Sequence, residues 1–184
     1  MACGHGKFAG PDRMGVCIAT SGPGAIHLLN GLYDAKLDHV PVLAIVGQQK
    51  RAGLGASYQQ EVDLRVLFKD VSEYVQICMD PAQARHLVDR ASRIALDRRC
   101  VCTLAFPNDV QEAAAIESPP RMHGSVYSSV GYRRPRVLPQ EGDIEHAAEI
   151  LNEGDKVAVL VGQGARGAAG EVELVGALAS QRGG

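Results

Sequence analysis

The chain has 184 residues, 46% of them hydrophobic and 22% charged, with a formal net charge of −2. That balance fits a soluble globular protein of one domain, or one small domain and part of another, and excludes a disordered chain. No block of like charge runs along it and it has no tryptophan, so nucleic acid is not an expected partner.

The opening "MACGHGKFAG" lacks the charged and apolar regions of a secretory leader. "GVCIAT" (15–20) reads as a buried strand, followed by the turn Ser21-Gly22-Pro23-Gly24. Ala25, Leu28, Leu29, Leu32 and Tyr33 then recur at helical spacing and predict a helix over 25–35. "VPVLAIVG" (40–47) is apolar at nearly every position, as in a strand covered on both faces of a parallel sheet. The polar excursion "QQKRAGLGASYQQEVDL" follows, and ordered loops of that length tend to be functional.

"FKDVSEYVQICM" carries a helical turn and a strand. At 80–83, Asp80 is a capping residue, Pro81 the first helical position and Gln83 the box glutamine. The helix they start runs to about Arg98, with Leu87, Val88, Ala91, Ile94 and Ala95 on one face. "CVCTLAFP" (100–107) is a further strand. No apolar run is long enough to span a bilayer.

From 116 to 142 the chain is rich in proline, glycine and serine without a period, which reads as a linker. Asp143 is expected to cap a helix bearing Ile144, Ala147, Ala148 and Leu151, and "KVAVLVG" (156–162) reads as a strand. "GQGARGAAG" leads into a last apolar helix. That second region has a strand with nothing to pair against, so it reads as the truncated start of a domain. The expected organisation is a first α/β domain over 1–115, a linker over 116–142 and the second region over 143–184.

Several places carry candidate chemistry. The glycines at 22 and 24 let backbone approach a ligand, and helix-start N–H groups favour a phosphate or another acceptor. A tight connection whose glycines serve packing explains the same spacing equally well. Gly162-Gln163-Gly164-Ala165 suits a dinucleotide or flavin phosphate, or is a plain turn. His27 and Asn30 stand where they can face a ligand, although a histidine there is more often structural. Gln59, Gln60 and Glu61 form a polar run in the long loop. Asp34 and Asp38 are too isolated to read as a general-acid pair. The five cysteines, Cys3, Cys17, Cys78, Cys100 and Cys102, form no C-x-x-C pair and read as small buried residues of a reducing, cytoplasmic protein.

"TSGPGAIHLLNGLYDAKLDHVPVLAIVGQ" resembles the amino-terminal domain of thiamine diphosphate-dependent enzymes of the pyruvate oxidase and acetolactate synthase group. "YQQEVDLRVLFKDVSEYV", "TLAFPNDVQ" and "VAVLVGQGARGA" extend the resemblance over nearly the whole chain. His27, where acetolactate synthases usually carry asparagine, points toward the pyruvate oxidase branch. The resemblance implies a doubly wound, parallel-sheet α/β fold, incomplete here, that binds thiamine diphosphate in an enzyme acting on a 2-oxoacid. It places Ser21, Gly22, Pro23 and Gly24 at the pyrimidine end of the cofactor, with His27 nearby. Gln60 matches the glutamine of an F-Q-E segment facing the reaction centre, with Gln59 in place of the phenylalanine. Lys69 corresponds to an arginine that reaches a flavin phosphate in acetolactate synthases, and Gly162 and Gly164 match a flavin turn, so FAD is a further implied cofactor.

The same resemblance puts the diphosphate and its Mg²⁺ in a carboxy-terminal domain from another subunit or segment. The glutamate that drives the cofactor's imino tautomer falls just upstream of "MACGHGKF". A homo-oligomer or a complementing subunit is therefore the implied partner, and the chain alone is expected to be inactive. The other reading is a non-catalytic α/β binding or assembly module derived from that family.

Overall fold

A computed structural model describes residues 1–10, 12–116, 133, 135, 137–154, 156–165 and 167–181. The chain divides into two compact units, Met1–Arg134 and Pro135–Gly184. Most of the expected linker, from 117 to 132, lies outside the described residues.

In the first unit the elements follow as α1 (Ala2–Phe8), β1 (Gly15–Ala19), α2 (Pro23–His27), α3 (Leu29–Leu37) and β2 (Val42–Gln48). Next come α4 (Leu64–Phe68), β3 (Tyr74–Ile77), α5 (Ala84–Arg98), β4 (Val101–Pro107) and α6 (Asn108–Gln111). The four strands form an all-parallel sheet in the order β1-β2-β4-β3. The chain thus steps outward from β1 to β2, passes to the edge at β3 and returns to β4. Right-handed crossovers then put the connections on opposite faces. Val42, Ala44, Val46, Val101 and Ala105 face a core with Leu32 and Ala35 of α3 and with Leu64 and Phe68 of α4. Leu43, Cys102 and Leu104 point the other way, against Leu87, Ala91 and Ala95 of α5. The fold is the parallel α/β sandwich expected of the sequence.

Strand and helix placements agree closely with the apolar pattern. Asp80 does cap: its carboxylate accepts from the N–H of Ala82 at 2.8 Å, while Gln83 reaches back to the N–H of Met79 at 2.8 Å. The single helix expected over 25–35 is instead two, because the N–H of Leu28 bonds to Ala25 O, three residues back, and tightens the turn there. α1 has no counterpart among the predicted elements. Its glycines at 4 and 6 dilute the helical pattern, and Lys7 holds it in place by bridging Asp34 (2.9 Å) and Asp38 (2.6 Å) of the α3 segment. Those two carboxylates therefore meet, as an ion-pair anchor. All five cysteines are free thiols, with Cys78 and Cys102 buried.

The second unit contains α7 (Glu141–Glu153) and α8 (Ala169–Gln181). Helix α7 starts two residues before the expected cap: Gln140 is at the N-cap position and Asp143 lies in the first turn. Its acidic first turn still complements the helix dipole. The strand expected over 156–162 is not formed, since a strand needs a hydrogen-bonding neighbour and none is present among the described residues.

Phe68 is fully buried between α4 and the sheet. Phe68→Ala is expected to cost about 3–5 kcal/mol, read as a lower denaturant midpoint. An unchanged midpoint would contradict this core assignment.

Candidate functional site

Ligand clefts of parallel α/β sheets lie outside the carboxyl ends of the strands, and a cleft of the first unit is there. It has a volume of about 630 Å³. Ile18, Ile45 and Phe106 supply an apolar wall from β1, β2 and β4, and Gln49, Asn108 and Gln111 supply amides. Ser21 and Gly47 complete its floor, and among the described residues no charged side chain lines it.

The turn after β1 is built around Gly22, whose φ of +61° and ψ of −118° disfavour any residue with a Cβ. A Cβ there would also stand 2.8 Å from both Cβ and O of Gln60. At Gly24 a Cβ would stand 2.7 Å from Cγ2 of Thr20. Both glycines are therefore required by contacts within the chain: Gly22 so that the long loop can seat against the turn, Gly24 so that α2 can pack on the strand end. Pro23 occupies the first turn of α2, where its missing N–H costs no hydrogen bond.

The loop from Gln49 to Asp63 comes back over this turn and is pinned at several points. Gln48, nearly buried, donates from Nε2 to Val62 O at 2.9 Å and accepts from the N–H of Gln49 at 2.8 Å. Gln49 donates from Nε2 to Ser21 Oγ at 3.2 Å and to Gln59 O at 2.8 Å. Glu61 accepts from the N–H of Gly55 at 2.6 Å and of Tyr58 at 2.9 Å. Those two amides, Gly55 first, hold its carboxyl below the usual carboxylate range. Arg51 ties the loop's other limb to α6 through Asp109 (2.7 Å) and also donates to Met79 O. Ser57 and Gln60 both adopt positive φ, a conformation unusual outside glycine.

The residues singled out in the sequence are thus partly drawn together. Ser21 is buried at the cleft floor, Gly22 is buried and Gln60 rests on it. His27 ends α2 and is exposed, as is Asn30 on α3. Neither His27 nor Gln60 lines the cleft. Lys69 caps α4 at the surface. Gly162 and Gly164 belong to the second unit, where Ala165 donates to Gly162 O across a short 3₁₀ turn ahead of α8. Sequence reasoning passed over Gln48, Gln49, Asn108 and Gln111. The available signal was two adjacent amides at the carboxyl end of an otherwise apolar strand. Among the described residues no group of three or more His, Cys, Asp or Glu is placed to hold a metal, and no helix is long and apolar enough to cross a membrane.

Comparison with known proteins agrees with this geometry. Residues 1–67 match the family described as thiamine pyrophosphate enzyme, N-terminal TPP binding domain. The chain is 35% identical over 171 residues to the putative thiamine pyrophosphate-containing protein YdaP of Bacillus subtilis, covering 93% of this chain and 28% of that protein. It is 32% identical to the pyruvate oxidase of Lactiplantibacillus plantarum, over 94% of this chain and 28% of that enzyme. Against the acetolactate synthase of Arthrospira platensis it is 36% identical, over 94% of this chain and 29% of the enzyme. The chain is similar to thiamine pyrophosphate enzymes, and residues 1–67 of its first unit match their N-terminal TPP binding domain. It spans less than a third of the length of each of these three relatives.

Two variants test the loop and turn. Gly22→Ala is expected to destabilise the chain by at least ~1–3 kcal/mol, through the positive φ and the contact with Gln60; a wild-type melting temperature would refute this. A depressed folded-state pKa at Glu61 means its contribution is present above the ordinary carboxylate range and lost as pH falls through the folded value. Glu61→Gln should therefore lose part of the wild type's acid sensitivity in a pH series of melts. An identical pH slope would show that the carboxylate does not hold the loop.

Proposed function

We propose that the first unit supplies the pyrimidine-facing wall of a thiamine diphosphate site in an enzyme acting on a 2-oxoacid such as pyruvate. What supports this is the character of the cleft: apolar side chains on one side, amides and a serine hydroxyl on the other, and no charge. A flat, neutral, hydrogen-bonding heterocycle fits such a lining. A diphosphate with its Mg²⁺ does not, and on this reading both are held by a second copy or a complementing subunit. Thiamine diphosphate held there would supply the electron sink that decarboxylation of a 2-oxoacid needs.

This chain's own part is to hold the ring and to exclude water from one side. Ser21 and Gln49 offer polar groups toward it, and Ile18, Ile45 and Phe106 offer contact surface. His27 and Gln60 flank the same turn and are assigned to the cofactor's surroundings and the substrate side respectively. Gly162 and Gly164 of the second unit are assigned to a flavin turn for FAD, and Lys69 of the first unit is assigned separately to a flavin phosphate, each as the resemblance implies. The free thiols fit a cytoplasmic enzyme.

The test is a chimaera in which residues 1–115 replace the matching region of the L. plantarum pyruvate oxidase. It is expected to bind thiamine diphosphate in titration calorimetry, while the isolated chain shows weak or undetectable binding. A folded chimaera without cofactor affinity would contradict the proposal. Sub-micromolar binding by the chain alone would contradict the assignment of the diphosphate to a partner.

A second reading, an assembly module without chemistry, draws on the outward face of β1, where Val16 is 51% and Ile18 74% exposed. Pull-down against that same pyruvate oxidase tests it, and no association would remove it.

A further inference from the structure

Gln49 joins the turn after β1 to the tip of the long loop by side-chain hydrogen bonds. Its carboxamide nitrogen has two hydrogens, and the structure uses both: one toward Ser21 Oγ at 3.2 Å, the other toward Gln59 O at 2.8 Å. Ser21 lies on the cleft floor and Gln59 immediately precedes Gln60, whose backbone presses on Gly22. The main chain of Gln49 is itself fixed, because its N–H donates to Oε1 of Gln48 and Gln48 is anchored on Val62 O. The loop tip has local order of its own, through Glu61 bonding to Gly55 and Tyr58. That order shapes the tip without fastening it to the turn. Gln60 also lies against the turn, where its atoms fill the space a Cβ at Gly22 would need.

We infer that Gln49 is a positioning residue: its amide is the clasp that holds the Gln59–Gln60 segment against the glycine turn and so sets where Gln60 stands beside the cleft. The inference rests on the cleft being a ring-binding site only for its consequence, not for the clasp itself. It distinguishes hydrogen-bond donation from bulk. Gln49→Glu keeps the size and the acceptor but removes both donors at neutral pH, and Gln49→Leu removes polarity altogether. If donation is what matters, the two variants behave alike.

Hydrogen exchange on the full chain reads the clasp directly. The reporters are the hydrogen-bonded amides of the tip, those of Gly55, Tyr58 and Glu61. In both variants they are expected to exchange roughly tenfold faster, the effect of losing one to two net hydrogen bonds. Amides of α5 and β4 should keep their protection. Unchanged tip exchange in both variants, wild-type exchange in Gln49→Glu alone, or faster exchange spread through α5 and β4 would each overturn the clasp.

A second measurement reads the consequence: saturation-transfer NMR with thiamine, which detects weak ligands. Transfer to the pyrimidine protons is expected for the wild-type chain and a severalfold loss for both variants. Unchanged transfer in variants whose tip has opened would overturn the positioning role. No pyrimidine transfer in the wild type would count against the proposed cofactor site, and the exchange data would still decide the clasp.

Discussion

The carboxyl edge of the sheet is organised by a close approach of backbone to backbone. At Gly22 the chain leaves β1 with φ +61° and ψ −118°, and the main chain of Gln60 occupies the space that a side chain would need. From that contact the rest of the site follows. The long loop can return over the turn, its two limbs can be tied to Gln48 and Gln49 on one side and to Asp109 on the other, and Ser21 is buried as the floor of the cleft. A larger residue at 22 would hold the loop away and leave the two glutamine amides with water in place of Val62 and Gln59.

Charge distribution is what supports the proposed division of the site. The cleft offers shape, apolar contact and neutral donors and acceptors, with no cation to meet a phosphate and no acid cluster to meet a metal among the described residues. A site of this composition can hold and orient one end of a cofactor. It cannot by itself neutralise the other end, which is why the proposal assigns that work to a second chain. The relatives' lengths, of which this chain spans 28–29% in the three compared, leave room for such a division.

The centre of the sheet was legible in the sequence because both faces of β2 and β4 are covered, so these strands read as unbroken apolar runs. Helix α5 was legible through its long 3.6-residue periodicity and the Asp80 cap. Elements whose formation depends on distant partners were not. Helix α1, diluted by glycine, is held by Lys7 reaching carboxylates about thirty positions away, and the 156–162 run has apolar strand character but no neighbouring strand among the described residues. The site showed the same division. Local wording exposed the glycine turn, whereas the amides of Gln48 and Gln49 acquire a role only when the loop folds back, which no local spacing records. The glycines themselves carried two readings, ligand approach and packing. The contacts that require them, Gln60 for one and Thr20 for the other, are internal, and the proposed place of the ligand is the cleft beside the turn.

The central claim is that this uncharged cleft receives the pyrimidine ring. It is tested most directly by titrating the isotope-labelled chain with the free aminopyrimidine fragment of thiamine and following backbone amide shifts. The account predicts saturable shifts at Ser21, Gly22, Gly47 and Gln49. Shifts confined to the opposite end of the sheet, around Arg98 to Cys100, or none at millimolar fragment, would contradict it.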